Sequence, residues 1–264
     1  MKILLLGDIV GRPGRNFLTA HLCGFVEKNH IDLVLANGEN ASGGAGITAK
    51  NALEISKAGV SGITLGDHVW DQKNFNNEID GLEYVCRPAN LPNTNPGRDR
   101  LILDANGTKL GLFTVLGRTF MGPKVDCPFA TADRIVSKLQ NSCDLIFAEI
   151  HAETTSEKEA MGWHLDGRVT MIYGTHTHVP TADLRILRSG SAYQTDLGMT
   201  GPRESVLGRD IDACLGRFVD GMPRRCPVAD GDVGMQGCLL EVNQQTGLPE
   251  SVELVNWRET DLNS

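Results

Sequence analysis

Five short apolar runs in this chain each stop at residues that carry chemistry. The endings are Gly7-Asp8, Asn37-Gly38-Glu39-Asn40, Gly66-Asp67-His68, Ile150-His151 and Gly174-Thr175-His176-Thr177-His178. Apolar runs without polar alternation suit strands buried on both faces, the situation of parallel sheets covered by helices. In open α/β sheets ligands bind beyond the carboxyl ends of the strands, so endings of this kind converge on one site from distant parts of the chain. That is the layout of a metal centre.

The segments between these endings read as β-α-β-α-β at first. A strand over 2–7 precedes a helix that Pro13 can open, with Phe17, Leu18, His21, Leu22, Phe25 and Val26 as its apolar stripe. A strand over 32–36 leads to Thr48, which can cap a helix over 49–58 that Gly59 stops, and a strand over 62–66 follows. The middle changes character: runs at 100–103 and 109–116 flank Asn106-Gly107, a hairpin dipeptide that implies antiparallel strands. A helix over 130–140, a strand over 144–150, a short helix over 156–162 and a strand over 169–174 come next. Short strands are expected at 183–187, 192–195, 237–242 and 252–255. Residues 198–234, rich in Gly, Arg and Pro, read as an excursion around one helix (210–219): a lid, an oligomer contact or an ordinary surface connection. Two mixed sheets packed face to face with helices outside would bury both series of strands, in one domain over 1–264.

Composition bounds the function. The 264 residues, 41% of them hydrophobic, can build a full core. A formal charge of −8 argues against stable polynucleotide binding or docking on an anionic membrane, both of which need clustered cations, and favours a small substrate. The seven cysteines are odd in number and contain no C-x-x-C pair, so neither a disulfide framework nor a thiolate zinc site is expected, and most should be small buried hydrophobes. Residues 1–7 are too short for a signal or membrane segment, and a cytoplasmic location is expected.

His176 and His178 form the sharpest local signal, because residues i and i+2 of an extended segment face the same way. Singly, Asp8 reads as a capping or turn aspartate, Glu39-Asn40 as a turn, and Asp67-His68 with Asp71 as a helix start. Together, carboxylate and amide oxygens with imidazoles match a site for iron, manganese or zinc. The absence of thiolates argues against a structural zinc knot. The Gly-rich stretch 43–46 has neither a dinucleotide fingerprint nor a Walker lysine.

The motifs Gly-Asp8-Ile-Val-Gly-Arg-Pro-Gly, Asn-Gly-Glu39-Asn40-Ala, Arg87-Pro-Ala-Asn, Gly117-Arg-Thr-Phe, His151-Ala-Glu-Thr-Thr-Ser-Glu-Lys, Gly-Thr-His176-Thr-His178-Val and Gly198-Met-Thr-Gly-Pro span essentially the whole chain. In these the sequence resembles the calcineurin-like metallophosphoesterases, most closely the bacterial YmdB-type branch of 2′,3′-cyclic-nucleotide 2′-phosphodiesterases. The resemblance implies a four-layer α/β/β/α sandwich. It also implies two transition-metal ions, iron or manganese foremost and zinc as an alternative. Glu39 would bridge them, with Asp8, Asn40 and His178 on the first ion and Asp67, His151 and His176 on the second. Superfamily members commonly carry a histidine where this chain has Val10, so Asn40 would supply the missing ligand.

The implied reaction attacks the phosphodiester with a metal-bridging hydroxide, while His68 as general acid protonates the leaving ribose oxygen to give a nucleoside 3′-phosphate. Arg12, Arg87 and Arg118 are candidates to hold phosphate. Where the family carries asparagine this chain has Asp67, whose charge should preserve metal binding but oppose an incoming phosphate. The competing expectations are a phosphatase or diesterase for another small phosphate ester, and a regulatory protein with a residual metal site.

Overall fold

A computed structural model describes residues 1–263. The chain begins with β1 (Lys2–Leu6), β2 (Asp8–Ile9), α1 (Gly11–Asn29), β3 (Leu33–Asn37), α2 (Ala49–Lys57), β4 (Gly62–Thr64), α3 (Phe75–Glu78) and β5 (Val85–Cys86). In this first sheet β1, β3, β4 and β5 are parallel neighbours. A second sheet holds β6 (Leu101–Ala105) and β7 (Thr108–Leu116), then α4 (Pro128–Leu139), β8 (Leu145–His151), α5 (Thr155–Leu165), β9 (Met171–Thr175), β10 (Arg185–Ile186) and β11 (Ala192–Gln194). Here β7, β8, β9 and β11 run parallel, and antiparallel β6 and β10 close the two edges. The chain then returns to the first sheet through β12 (Met199–Pro202), α6 (Ile211–Asp220) and a closing hairpin of β13 (Val233–Val242) and β14 (Pro249–Arg258).

Alternation along the strands explains the layers. Ile3, Leu5, Leu33 and Leu35 meet Leu110, Leu112, Leu145, Phe147 and Met171 between the sheets. Their neighbours Leu4, Leu6, Val34 and Ala36 pack outward against Phe17, Leu18, Leu22 and Ile55 of the first helices. On the far side Ile146, Ala148, Ile150 and Phe113 pack on Ile135, Val136, Leu139, Met161 and Leu165. Each such side chain contributes about 1.5–3 kcal/mol on burial, which is why both strand faces are apolar. The result is the expected α/β/β/α sandwich of two mixed sheets. Its parallel strands from both sheets end at one edge, which carries Asp8, Glu39, Asp67, His151 and His176.

Local signals held where they are purely local. Thr48 Oγ1 accepts the Asn51 amide at 3.2 Å and starts α2. Asn106 and Gly107 take φ of 56° and 86°, the left-handed pair a tight hairpin needs. Other expectations need correction. Residues 199–202 and 233–234 of the expected excursion are strand, with Met199 and Thr200 paired to Asp8 and Ile9, so the crossing segment is 203–232. The helix expected over 156–162 runs over Thr155–Leu165, and a fully buried Lys158 interrupts the apolar stripe that Met161 and Leu165 complete. Only Cys86, Cys214 and Cys238 of the seven cysteines are buried, so most of them are not core residues. Among the described residues no helix is long and apolar enough to cross a membrane.

Candidate metal centre

At the shared strand edge, ligand atoms of Glu39, Asp67, His151 and His176 all lie within 4.8 Å of one another. His151 Nε2 is 3.0 Å from both Glu39 Oε1 and Asp67 Oδ1, and His176 Nδ1 is 3.1 Å from His151 Nε2 and 3.3 Å from Asp67 Oδ1. Beside this group, His178 Nε2 lies 3.0 Å from Asn40 Oδ1 and 3.9 Å from Asp8 Oδ1. The residues expected as metal ligands are thus brought together, in two adjoining groups. Gly66 makes room for them, since a Cβ there would overlap Glu39 Oε2 and His151 Nε2.

Each imidazole has its outer nitrogen anchored. Thr175 Oγ1 donates to Glu149 Oε1 at 2.5 Å, so it accepts from His151 Nδ1 at 2.8 Å. His176 Nε2 faces Glu153 Oε2 at 3.2 Å, and His178 Nδ1 donates to the Leu207 carbonyl at 3.1 Å. With the outer nitrogens so engaged, the inner nitrogens are the ones that donate to the carboxylates when protonated and that would turn lone pairs to a cation in their place. Asn40 is oriented likewise, its Nδ2 donating to Gly44 O at 3.2 Å while Oδ1 faces His178. Asp8 Oδ1 is buried with no hydrogen-bond partner. A set of inward lone pairs, one of them orphaned, fits multivalent cations, and anchoring of outer nitrogens is how metal-binding histidines are held.

Electrostatics point the same way. Burial opposes a charge on Asp67, but hydrogen bonds from His151 and His176 outweigh it and hold the carboxyl far below the usual range. Burial would lower the His151 pKa, yet Glu39, Asp67 and Asp8 raise it well above an ordinary histidine. The same negative field favours a bound cation.

The expectation for His176 and His178 needs its geometry revised. β9 ends at Thr175, and the two histidines take positive φ of 92° and 61° in a turn rather than sitting on one face of an extended strand. Such backbone persists where the surroundings hold it. Here Asp196 Oδ2 accepts Thr177 N at 3.2 Å, Thr177 Oγ1 at 2.7 Å and Lys158 Nζ at 2.7 Å, clamping the residue between the histidines.

His68 stands apart from the cluster. Its Nδ1 meets Asp71 Oδ2 at 2.7 Å, its amide donates to Glu39 Oε2 at 3.2 Å, and its side chain lines a cavity of about 580 Å³ with Glu39, Asn40, His176 and His178. Burial pulls its pKa down, while Glu39, Asp67 and Asp71 raise it to a net value above the usual one.

The expected phosphate-holding arginines are not brought here. Arg87 is buried, its guanidinium spent on the carbonyls of Pro88, Asn95 and Pro96. Arg118 bonds Val125 O, and Arg12 lines a neighbouring pocket. The cavity instead meets Arg209 and Arg217, from the crossing segment. Sequence reading also missed Glu149, although a carboxylate inside the apolar run Leu-Ile-Phe-Ala-Glu149-Ile-His151 was a usable signal.

A family model described as "YmdB-like protein" matches residues 4–255. A Bacillus subtilis (strain 168) protein named 2′,3′-cyclic-nucleotide 2′-phosphodiesterase is 40% identical over 255 residues, covering 97% of this chain and 96% of that one. A hypothetical protein from Thermus thermophilus has a solved structure that superposes with a TM-score of 0.91 at 37% identity, covering 98% of this chain and 100% of the other. The structure of a protein described as a novel phosphatase from Mycoplasma pneumoniae also superposes at 0.91, with 35% identity, 100% of this chain and 96% of the other. With sequence agreement along nearly its whole length and the same fold around these strand ends, the chain belongs to the YmdB-like protein family.

Proposed function

We propose that this chain is a metal-dependent phosphodiesterase that hydrolyses 2′,3′-cyclic nucleotides to nucleoside 3′-phosphates. Asp8, Asn40 and His178 would hold one transition-metal ion, Asp67, His151 and His176 a second, and Glu39 both. The observation that carries the reading is the set of three imidazoles whose outer nitrogens are anchored and whose inner nitrogens converge on carboxylate and amide oxygens. The substrate class rests on the name of the Bacillus subtilis relative. When bound, such ions supply Lewis acidity toward phosphoryl oxygens and lower the pKa of water.

The chain's own residues do the remainder. Asp71 accepts from His68 Nδ1, so Nε2 carries the transferable proton when the ring, which lines the cavity, is an imidazolium. Water adds to phosphorus and releases one proton to solvent, the P–O2′ bond breaks, and His68 Nε2 delivers the proton that the 2′ oxygen needs. An imidazole titrates near neutrality, and the Asp71 carboxylate at 2.7 Å favours the protonated form of His68.

The test combines elemental analysis of metal-supplemented protein with turnover of 2′,3′-cyclic, 3′,5′-cyclic and monoester substrates. About two transition-metal ions per chain and preference for the 2′,3′-cyclic diester are expected. Occupancy near zero would overturn the metal assignment, and preference for the monoester would make the protein a phosphatase.

Asp67 supplies a further expected result. Its carboxylate is ionised and lies beside the site that must accept a phosphate. Asp67→Asn at matched metal loading should raise kcat/KM on 2′,3′-cyclic nucleotides by about tenfold, near the low end of what a unit charge exerts at such range. Equal or lower activity in the variant would mean that the centre is adapted to aspartate.

A further inference from the structure

The cavity over the centre has two unlike walls. One is the polar strand edge. The other comes from the crossing segment and is largely apolar, with Val206, Leu207, Cys214 and Phe218. α6 packs on the molecule through Cys214, capped by Asp210 accepting the Ala213 amide at 2.9 Å. That places Arg217 and Phe218 on the cavity rim. Phe218 is 80% exposed although it faces a cavity, an unfavourable state for an aromatic ring with no partner.

Arg209, the other guanidinium at the cavity, is fully engaged. It donates to the carbonyls of Gly43, Gly44 and Cys226 and ties the crossing segment to the 42–46 loop. Among the described residues lining the cavity, Arg217 is the one guanidinium whose side chain forms no hydrogen bond or ion pair. An unpaired cation and an uncovered ring therefore stand side by side across from a carboxylate-rich centre.

We propose that α6 reads the substrate: Phe218 is the platform on which the nucleobase stacks, and Arg217 supplies the positive charge that the phosphate meets. The proposal rests on the nucleotide reading above and deepens it, placing specificity on the crossing segment rather than on the strand edge. An aromatic platform accepts any base, because every base offers a π-face, whereas a guanidinium beside a phosphate acts on any phosphorylated ligand.

Equilibrium binding separates the two roles without requiring turnover. Metal-loaded protein would be titrated with adenosine 3′-phosphate and with inorganic phosphate, which has no base. Phe218→Ala should weaken adenosine 3′-phosphate about 5- to 100-fold, the worth of one base–aromatic stack, without the same loss for inorganic phosphate; Phe218→Trp should restore the affinity. Arg217→Ala should weaken both ligands. Phe218 is exposed, so its replacement removes nothing from the core, and unchanged metal content would verify the centre. Equal effects of Phe218→Ala on both ligands, or none on either, would overturn the proposal. So would a change in sedimentation without a change in binding, which would assign this face to a second copy of the chain. Failure of wild-type turnover on 2′,3′-cyclic nucleotides would strike the proposed reaction instead, and the binding differential would still decide the role of α6.

Discussion

Replacing His68 by alanine is expected to lower turnover of 2′,3′-cyclic nucleotides by roughly 10²–10⁴ while leaving the metal content unchanged, the usual worth of a general acid. His68 lines the cavity, its Nδ1 is taken by Asp71 at 2.7 Å, and it lies outside the group whose ligand atoms fall within 4.8 Å of one another. A leaving group that departs without a proton, such as p-nitrophenolate, should suffer far less from the same change. Steady-state kinetics on both substrates, beside elemental analysis, check the assignment. Loss of a metal ion from the variant would make His68 a ligand, and equal losses on both substrates would remove its role as acid.

The second large effect concerns stability. Lys158 is fully buried, and its Nζ lies 2.7 Å from the equally buried Asp196. Removing one member of such a pair leaves the other charge without compensation, at a cost of about 3–5 kcal/mol. Lys158→Ala should show that loss in urea unfolding. Lys158→Met, which keeps most of the volume, should recover only the packing part. Because Asp196 also clamps Thr177 between His176 and His178, the variant should bind metal more weakly than wild type. A loss below about 1 kcal/mol would mean that the pair contributes no more than an exposed one.

Glu149 and Arg217 show where legibility in the sequence ended. Glu149 lies inside a strand whose other residues are core, and only the fold reveals that Thr175 and Asn37 meet it, at 2.5 and 2.6 Å, behind His151. Arg217 belongs to a segment that read equally well as surface connection. Arg87, by contrast, looked available for phosphate and proved to be a buried brace whose donors are consumed by carbonyls. A guanidinium's role depends on its neighbours in space, which adjacent residues do not specify.

By itself the sequence determined the layers and which polar side chains stand at the strand ends. Uninterrupted apolar runs imply strands covered on both faces, and residue type at each run's end decides which atoms reach the shared edge. Only the tertiary structure decided how those atoms are aimed. His178 meets Asn40 across 138 positions of chain, and its outer nitrogen is held by the Leu207 carbonyl of the crossing segment. Orientation of that kind comes from long-range packing and hydrogen bonding. Strand patterning and turn dipeptides are local, so they could name the residues of the centre but not which nitrogen of each imidazole faces it, nor which arginine stands above it.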